Sequence, residues 1–409
     1  MWILQEVHNG TSVRIYCGTR WLPWETYRDV SRAFRRSDLD LRGIFMRDVL
    51  EETQEFIWYI LCYEGPNALD LEEKDELLDY LAWCQSKRCT DPKDKLYALL
   101  GVLPEAIKNH FQPDYSVSVK RVYTDIVEYI LGSTRRLDIL CHATKLGTHL
   151  HNNKYFLPSW IPDWSYQLQV DLVTEICGKY AASSETAQFA ISGGLSRGLT
   201  SGSHTRLRPQ RLEIKAVFVG TIARVGLHIP EIHFIDDILM AFLNWRALIK
   251  QLGRVDENEV LCRTMTMDMV EDWNLGQLTE ICFHMFAQRL QSDLPHIPLD
   301  DELKACSKAQ LGISDDALDA FWAKYIERTY ENRRLFISEE GGVGLSPPNI
   351  DVEDVICVPL GCSTPVILRP WNRGEYKFVC DAYIDGYMYG QADTEWKTGT
   401  KDLQTYILV

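Results

Sequence analysis

At 409 residues and 47.2 kDa, with 46 % hydrophobic and 25 % charged residues, the chain can build roughly two or three domains, each with its own buried core. A formal net charge of −15 and a pI near 5.2 argue against nucleic acid and anionic membrane surfaces as partners, because binding to phosphates through counterion release needs clustered Lys and Arg. With no apolar run of the ~18 residues that a membrane span requires, and no signal peptide at the amino terminus, the chain reads as cytoplasmic; its twelve cysteines read as reduced, mostly buried thiols.

Taken in chain order, an apolar opening leads into "SVRIYCG", whose alternation predicts a strand, and then into the turn "TRWLPWETY" before a helix. From 69 to 87, "LDLEEKDELLDYLAWCQSK" sets Leu77, Leu81 and Cys84 on one helical face and acids on the other. "TDPKDKLYALLGVLPE" offers Asp91 as N-cap, Pro92 at the first helical position, Asp94 in the first turn and Gly101 as the stop. "VKRVYTDIVEYILGS" has apolar residues at 119, 122, 123, 126 and 130 and predicts a long helix ending at Gly132; "LDILCHATK" reads as a short one.

The Ser/Gly/Thr-rich stretch 181–209 reads as a linker. "RLEIKAVFVGTIARVG" then reads as two short strands joined near Gly220, and 233–333 returns to helical patterning. "RRLFISEEGGVGLSP", "EDVICVPLG", "TPVILRP" and "YKFVCDAYIDG" read as four strands. The expected fold class is α+β: a mainly helical scaffold with a small antiparallel β-sheet or barrel formed by 211–226 and 335–390. The expected domains are 1–180, a linker at 181–210, and 211–409 with a helical insertion at 233–333.

"LPSWIPDWS", residues 157–165, packs two tryptophans, two prolines and an aspartate into nine residues. Trp160 and Trp164 either staple helices together, the commoner use of buried aromatics, or line an apolar substrate pocket with Asp163 as one of its few polar groups. "DPKDK" invites an acid/base reading of Asp91, Asp94 and Lys95, but helix capping already accounts for both aspartates. Tyr97 and Tyr115 are better candidate hydrogen-bond donors. His149 and His151 share a face if "THLHN" is extended, without a third ligand for a metal. Cys84 with Cys89, and Cys357 with Cys362, lack the two-residue spacing of ribbon or redox motifs. "EEGGVG" lacks the Lys-Ser/Thr of a P-loop, and neither G-x-S-x-G nor H-E-x-x-H occurs, so no metal and no cofactor is implied.

The ordered set "WILQE", "DPKDKLYALLG", "PDYSVSVKRVYTDI", "LPSWIPDWS", "RRLFISEEGGVGLSPPNIDVEDVICVPLGCSTPVILRP" and "YKFVCDAYIDGYMYGQA" resembles the fungal heterokaryon-incompatibility (HET) proteins. In that family "WILQE" lies near the end of the HET domain, whose earlier, TIR-like part carries the signalling motifs. The resemblance therefore implies a HET-like remnant over 1–180 without the signalling half, and that half's residues have no positions here. Such shortened proteins look similar to members of fungal natural-product clusters, among them norbornene-forming Diels-Alder cyclases of sordaricin-type assembly. The expectation is a cofactor-free, intramolecular Diels-Alder cyclase for a small apolar substrate, which proximity and orientation alone can accelerate. Asp163, Tyr97 and Tyr115 would serve catalysis, and Trp160 and Trp164 would bind substrate. The alternative is a non-catalytic HET-family scaffold in self/non-self recognition.

Overall fold

The computed structural model describes residues 2–27, 29–30, 77–85, 87–145, 153–165, 172–173, 178–192, 210–230, 234–270, 273–327 and 332–409. His149, His151 and most of the 181–209 linker lie outside them. The chain is a mixed α+β protein that divides into two compact units, one of residues 1–123 with 164–167 and one of 124–163 with 168–409.

In the first unit, helix α1 (Trp2–Asn9) precedes an antiparallel hairpin of β1 (Arg14–Cys17) and β2 (Arg20–Pro23), turned at Gly18 with φ +61°. The strand expected from "SVRIYCG" is thus present. Helix α2 (Leu77–Cys84) buries Leu77, Tyr80, Leu81 and Cys84, an i, i+3, i+4, i+7 face; the earlier part of the expected amphipathic stretch, 69–76, is outside the described residues. The "DPKDK" helix is shorter than its capping signals suggest. Helix α3 spans only Asp94–Tyr97, with Lys93 rather than Asp91 at the cap position. Asp91 closes the turn before it, its carboxylate accepting from Lys93 N–H at 2.9 Å and its carbonyl from Asp94 N–H at 2.9 Å. Past Tyr97 the chain continues in tight turns, so Gly101 stops nothing. Helix α4 (Glu105–Lys108) follows; α5 (Val119–Thr134), whose residues from Thr124 on belong to the second unit, buries Val122, Tyr123, Ile126, Val127, Ile130 and Leu131 along one stripe.

The second unit is built around β4 (Arg211–Ile229), one strand of 19 residues where the sequence suggests two. Gly220 does not break it; it sits at a bulge between Phe218 and Gly220, where a Cβ would lie 2.2 Å from the Glu340 carboxylate that accepts from Thr221 N–H. β4 gives the barrel core Val217 before the bulge, Val219 within it and Ile222 after it, so the core-facing positions change from odd to even as the strand bends.

Along β4, residues 212–217 pair with β11 (Leu403–Leu408), 216–221 with β7 (Val355–Pro359), and 222–229 with β5 (Arg333–Ser338). β7 pairs with β8 (Val366–Pro370), β8 with β9 (Glu375–Asp381), and β9 runs parallel to β11. The ring β4–β11–β9–β8–β7–β4 therefore closes into a five-stranded barrel, which leaves none of its five strands as an open edge. Its core holds Val217, Val219, Ile356, Val358, Ile367 and Val379. The sheet continues from β4 through β5, β6 (Val343–Ser346) and β10 (Tyr383–Ile384), while β3 (Phe189–Ser192) adds at the other end of β4. The glycines of "EEGGVG" serve this sheet. Gly341 turns β5 into β6 at φ +83°, and a Cβ on Gly344 would meet the Tyr383 carbonyl at 2.3 Å.

Between β4 and β5 lie the helices α6 (Ile235–Lys250), α7 (Glu257–Met265), α8 (Leu275–Asp293), α9 (Asp301–Ser307) and α10 (Asp315–Phe321). Asn274, Asp300 and Ser314 cap α8, α9 and α10, each accepting from a backbone N–H three residues on. Phe242 stacks on Phe286 at 4.1 Å, and Phe286 meets Trp322 at 4.9 Å, in a core shared with Leu335, Ile337 and Leu345 of the sheet. Among the described residues no helix is long and apolar enough to cross a membrane. Helix α11 (Gln391–Lys397) and β11 complete the fold beyond residue 390, where no element is read from the sequence.

Candidate functional site

Tyr97 and Tyr115 do come together in the first unit. Their rings meet edge to face at 5.2 Å, and both hydroxyls donate to protein acceptors: Tyr97 to the Asp114 carbonyl at 3.1 Å, Tyr115 to the Asp94 carboxylate at 2.6 Å. The rest of "DPKDK" is equally committed. Lys93 donates to the carbonyls of Tyr115 and Val117, and buried Lys95 gives its ammonium protons to the carbonyls of Cys84, Gln85 and Lys87 at 3.1, 2.9 and 2.5 Å, closing the end of α2. A lysine donating to the last carbonyls of a helix satisfies acceptors that the helix cannot. The residues singled out for acid/base chemistry thus form a hydrogen-bonded brace.

The Asp94 hydrogen bond, with a smaller contribution from burial, pushes the Tyr115 hydroxyl up to about 12. The fold therefore favours neutral Tyr115, and the stability it contributes is complete below the ordinary tyrosine pKa of about 10 and lost as the pH rises through the shifted value. A spectrophotometric titration of wild type against Tyr115→Phe is expected to show the missing tyrosine among the last to ionise.

In the second unit the tryptophan loop is held at several points. Asn153 brackets it with a pair of 2.7 Å hydrogen bonds to the backbone of Leu157, and Ser159 bonds to the Val409 carbonyl through its N–H and its hydroxyl. The Ser159 hydroxyl also accepts from Phe378 N–H at 2.9 Å, tying the loop to β9. Trp160 is fully buried, and its indole N–H has no partner among the described residues. Asp163 is half-buried. Its charge favours the protonated form of Lys145, whose ammonium burial pulls below the ordinary lysine value and which Lys377 opposes further. Trp164, which belongs to the first unit, is also fully buried.

A cleft of about 280 Å3 opens instead on the helical insertion, between α8 and α10. His284, Gln288 and Arg289 line it from α8, and Asp315, Leu318 and Asp319 from α10. Nothing in the sequence marks it: His284 sits in an ordinary apolar helical stripe, and the acids facing it come from another helix. Among the described residues no group of three or more His, Cys, Asp or Glu is placed to hold a metal ion.

The barrel has a counterpart among known families. Residues 296–400 match the family model described as the Het-6 beta-barrel domain, a span containing β5 to β10 and α11. The carboxyl-terminal part of the chain is thus similar to a Het-6 β-barrel domain. Over 356 residues it is 25 % identical to the Neurospora crassa protein named "Heterokaryon incompatibility protein 6, OR allele", an alignment covering 75 % of this chain and 49 % of that protein. The relationship to the Het-6 protein is distant but real, and this chain spans about half the length of the relative it matches. No solved structure matches it.

Proposed function

We propose that the chain acts in heterokaryon incompatibility as a recognition scaffold rather than by chemistry at the five residues singled out in its sequence. One observation carries this reading. The span that matches the Het-6 β-barrel domain supplies three of the barrel's five strands, β7, β8 and β9. In such a role the barrel and helices hold an exposed surface in place, and allelic differences on that surface set compatibility. The test is a forced heterokaryon between strains carrying identical or divergent alleles of this gene, with death of the fused cells scored by vital dye. Death confined to divergent pairings is expected. Equal viability in all pairings would remove the proposal.

A second reading, the cofactor-free cyclase acting on a small apolar substrate, draws support from Trp160. Its buried indole N–H is a spare donor that a dienophile carbonyl could take, lowering the barrier through electrostatic stabilisation. This reading requires an apolar cavity at the tryptophan loop, and the cleft between α8 and α10 is polar and contains no tryptophan. Stereoselective product formation from a polyene by the purified protein would favour it.

A further inference from the structure

His284 is 6 % exposed, and its Nδ1 lies 2.8 Å from the Cys306 carbonyl. A carbonyl can only accept, so Nδ1 carries the proton, and in the neutral ring Nε2 is left as an acceptor. Nε2 has no partner among the described residues, and the ring lines the cleft between α8 and α10.

The one full positive charge in the cleft is already engaged. Arg289 donates to Asp319 at 3.0 Å, and its guanidinium lies 4.2 Å above the Trp322 ring, an ion pair and a cation–π contact that fix it in place. Asp315 has no ion pair among the described residues. Left open are the acceptors of the Asp315 carboxylate, His284 Nε2 and the Gln288 carboxamide oxygen, beside two kinds of donor, the Gln288 amide hydrogens and the Arg289 Nε–H. Met285 and Leu318 add apolar surface beside them.

We propose that this cleft binds an aliphatic primary ammonium group, with His284 Nε2 and Asp315 accepting its protons and Met285 and Leu318 contacting its methylene stem. An ammonium brings three donors and one positive charge, matching a site with several open acceptors and one unpaired carboxylate. The chain's net charge of −15 adds a long-range attraction for such a ligand. The ammonium can belong to a free alkylamine or to a lysine side chain of a partner.

The test is titration of the full chain, followed by amide NMR, with n-butylammonium, with N-acetyl-lysine methylamide and with its ε-acetylated form, at constant ionic strength. Saturable shifts around His284 and Asp315 are expected with the first two probes and not with the third. Tighter binding of the lysine amide would assign the site to a protein side chain, and tighter binding of n-butylammonium to a free amine. Asp315→Asn, at an exposed position, is expected to weaken binding about tenfold, as loss of one charge-assisted contact does, while Asp301→Asn leaves it unchanged. His284→Leu is expected to abolish it. Non-saturating shifts, equal affinity in Asp315→Asn, or equal binding of tetramethylammonium, which has no donors, would overturn the proposal.

Discussion

Trp160→Ala is expected to destabilise the protein by about 3–5 kcal/mol, read as a lower midpoint in urea with the slope unchanged. The side chain is fully buried in a loop fastened to β9 and to Val409, so deleting it leaves a cavity that the braced backbone cannot collapse to fill. Trp160→Phe retains most of the apolar contact and is expected to cost clearly less. Because the indole N–H has no partner among the described residues, its loss with Phe forfeits no hydrogen bond there. A full-size loss with Phe would show that the N–H is engaged after all.

Arg263→Met is expected to cost roughly 2–4 kcal/mol at neutral pH, below the full figure for a buried pair because Arg263 keeps about a fifth of its side chain in solvent. Its guanidinium grips Asp385 with two hydrogen bonds at 2.7 and 2.9 Å. Nearby stands Asp268, in a left-handed turn with Met267 (φ 52° and 49°), its carboxyl raised above the ordinary range by burial and by Asp385 against the opposing pull of Arg263 and of a Tyr389 hydrogen bond. A carboxyl raised in the folded state costs stability when ionised, and that cost disappears as the pH falls through its folded pKa. Removing Arg263 raises Asp268 further. The deficit of Arg263→Met relative to wild type is therefore expected to be largest at neutral pH and to shrink on acidification. A deficit that stayed constant from neutral pH down through the carboxyl range would show that packing rather than charge is lost.

Much of this architecture is legible in the sequence because it rests on local signals. The period of "VKRVYTDIVEYILGS" gives α5, and the short apolar runs separated by turn residues give β7, β8 and β9 of the barrel. Where reading failed, long-range pairing had overridden local chemistry. Gly220 reads as a break between strands, yet β4 passes through it because β11, β7 and β5 claim successive segments of one strand. "LQTYIL" is too short and half-exposed to stand out, and becomes β11 only through pairing with both β4 and β9.

The candidate sites divide in the same way. Asp91, Asp94 and Lys95 look like a catalytic cluster when read as neighbours. Asp91 closes its own turn, but the roles of Asp94 and Lys95 are fixed by Tyr115 and by the end of α2, which lie elsewhere in the chain. His284 and Asp315 are 31 positions apart on different helices, and no spacing rule could have joined them.

The most direct measurement is the forced-heterokaryon assay with a Tyr97→Phe/Tyr115→Phe/Asp163→Asn variant of the chain, first checked for native circular dichroism and a cooperative unfolding transition. If recognition depends on the surface that the barrel and helices display, the variant kills divergent fusions as the wild type does. If the folded variant leaves those fusions viable, one or more of these three side chains acts directly, and the scaffold reading is contradicted.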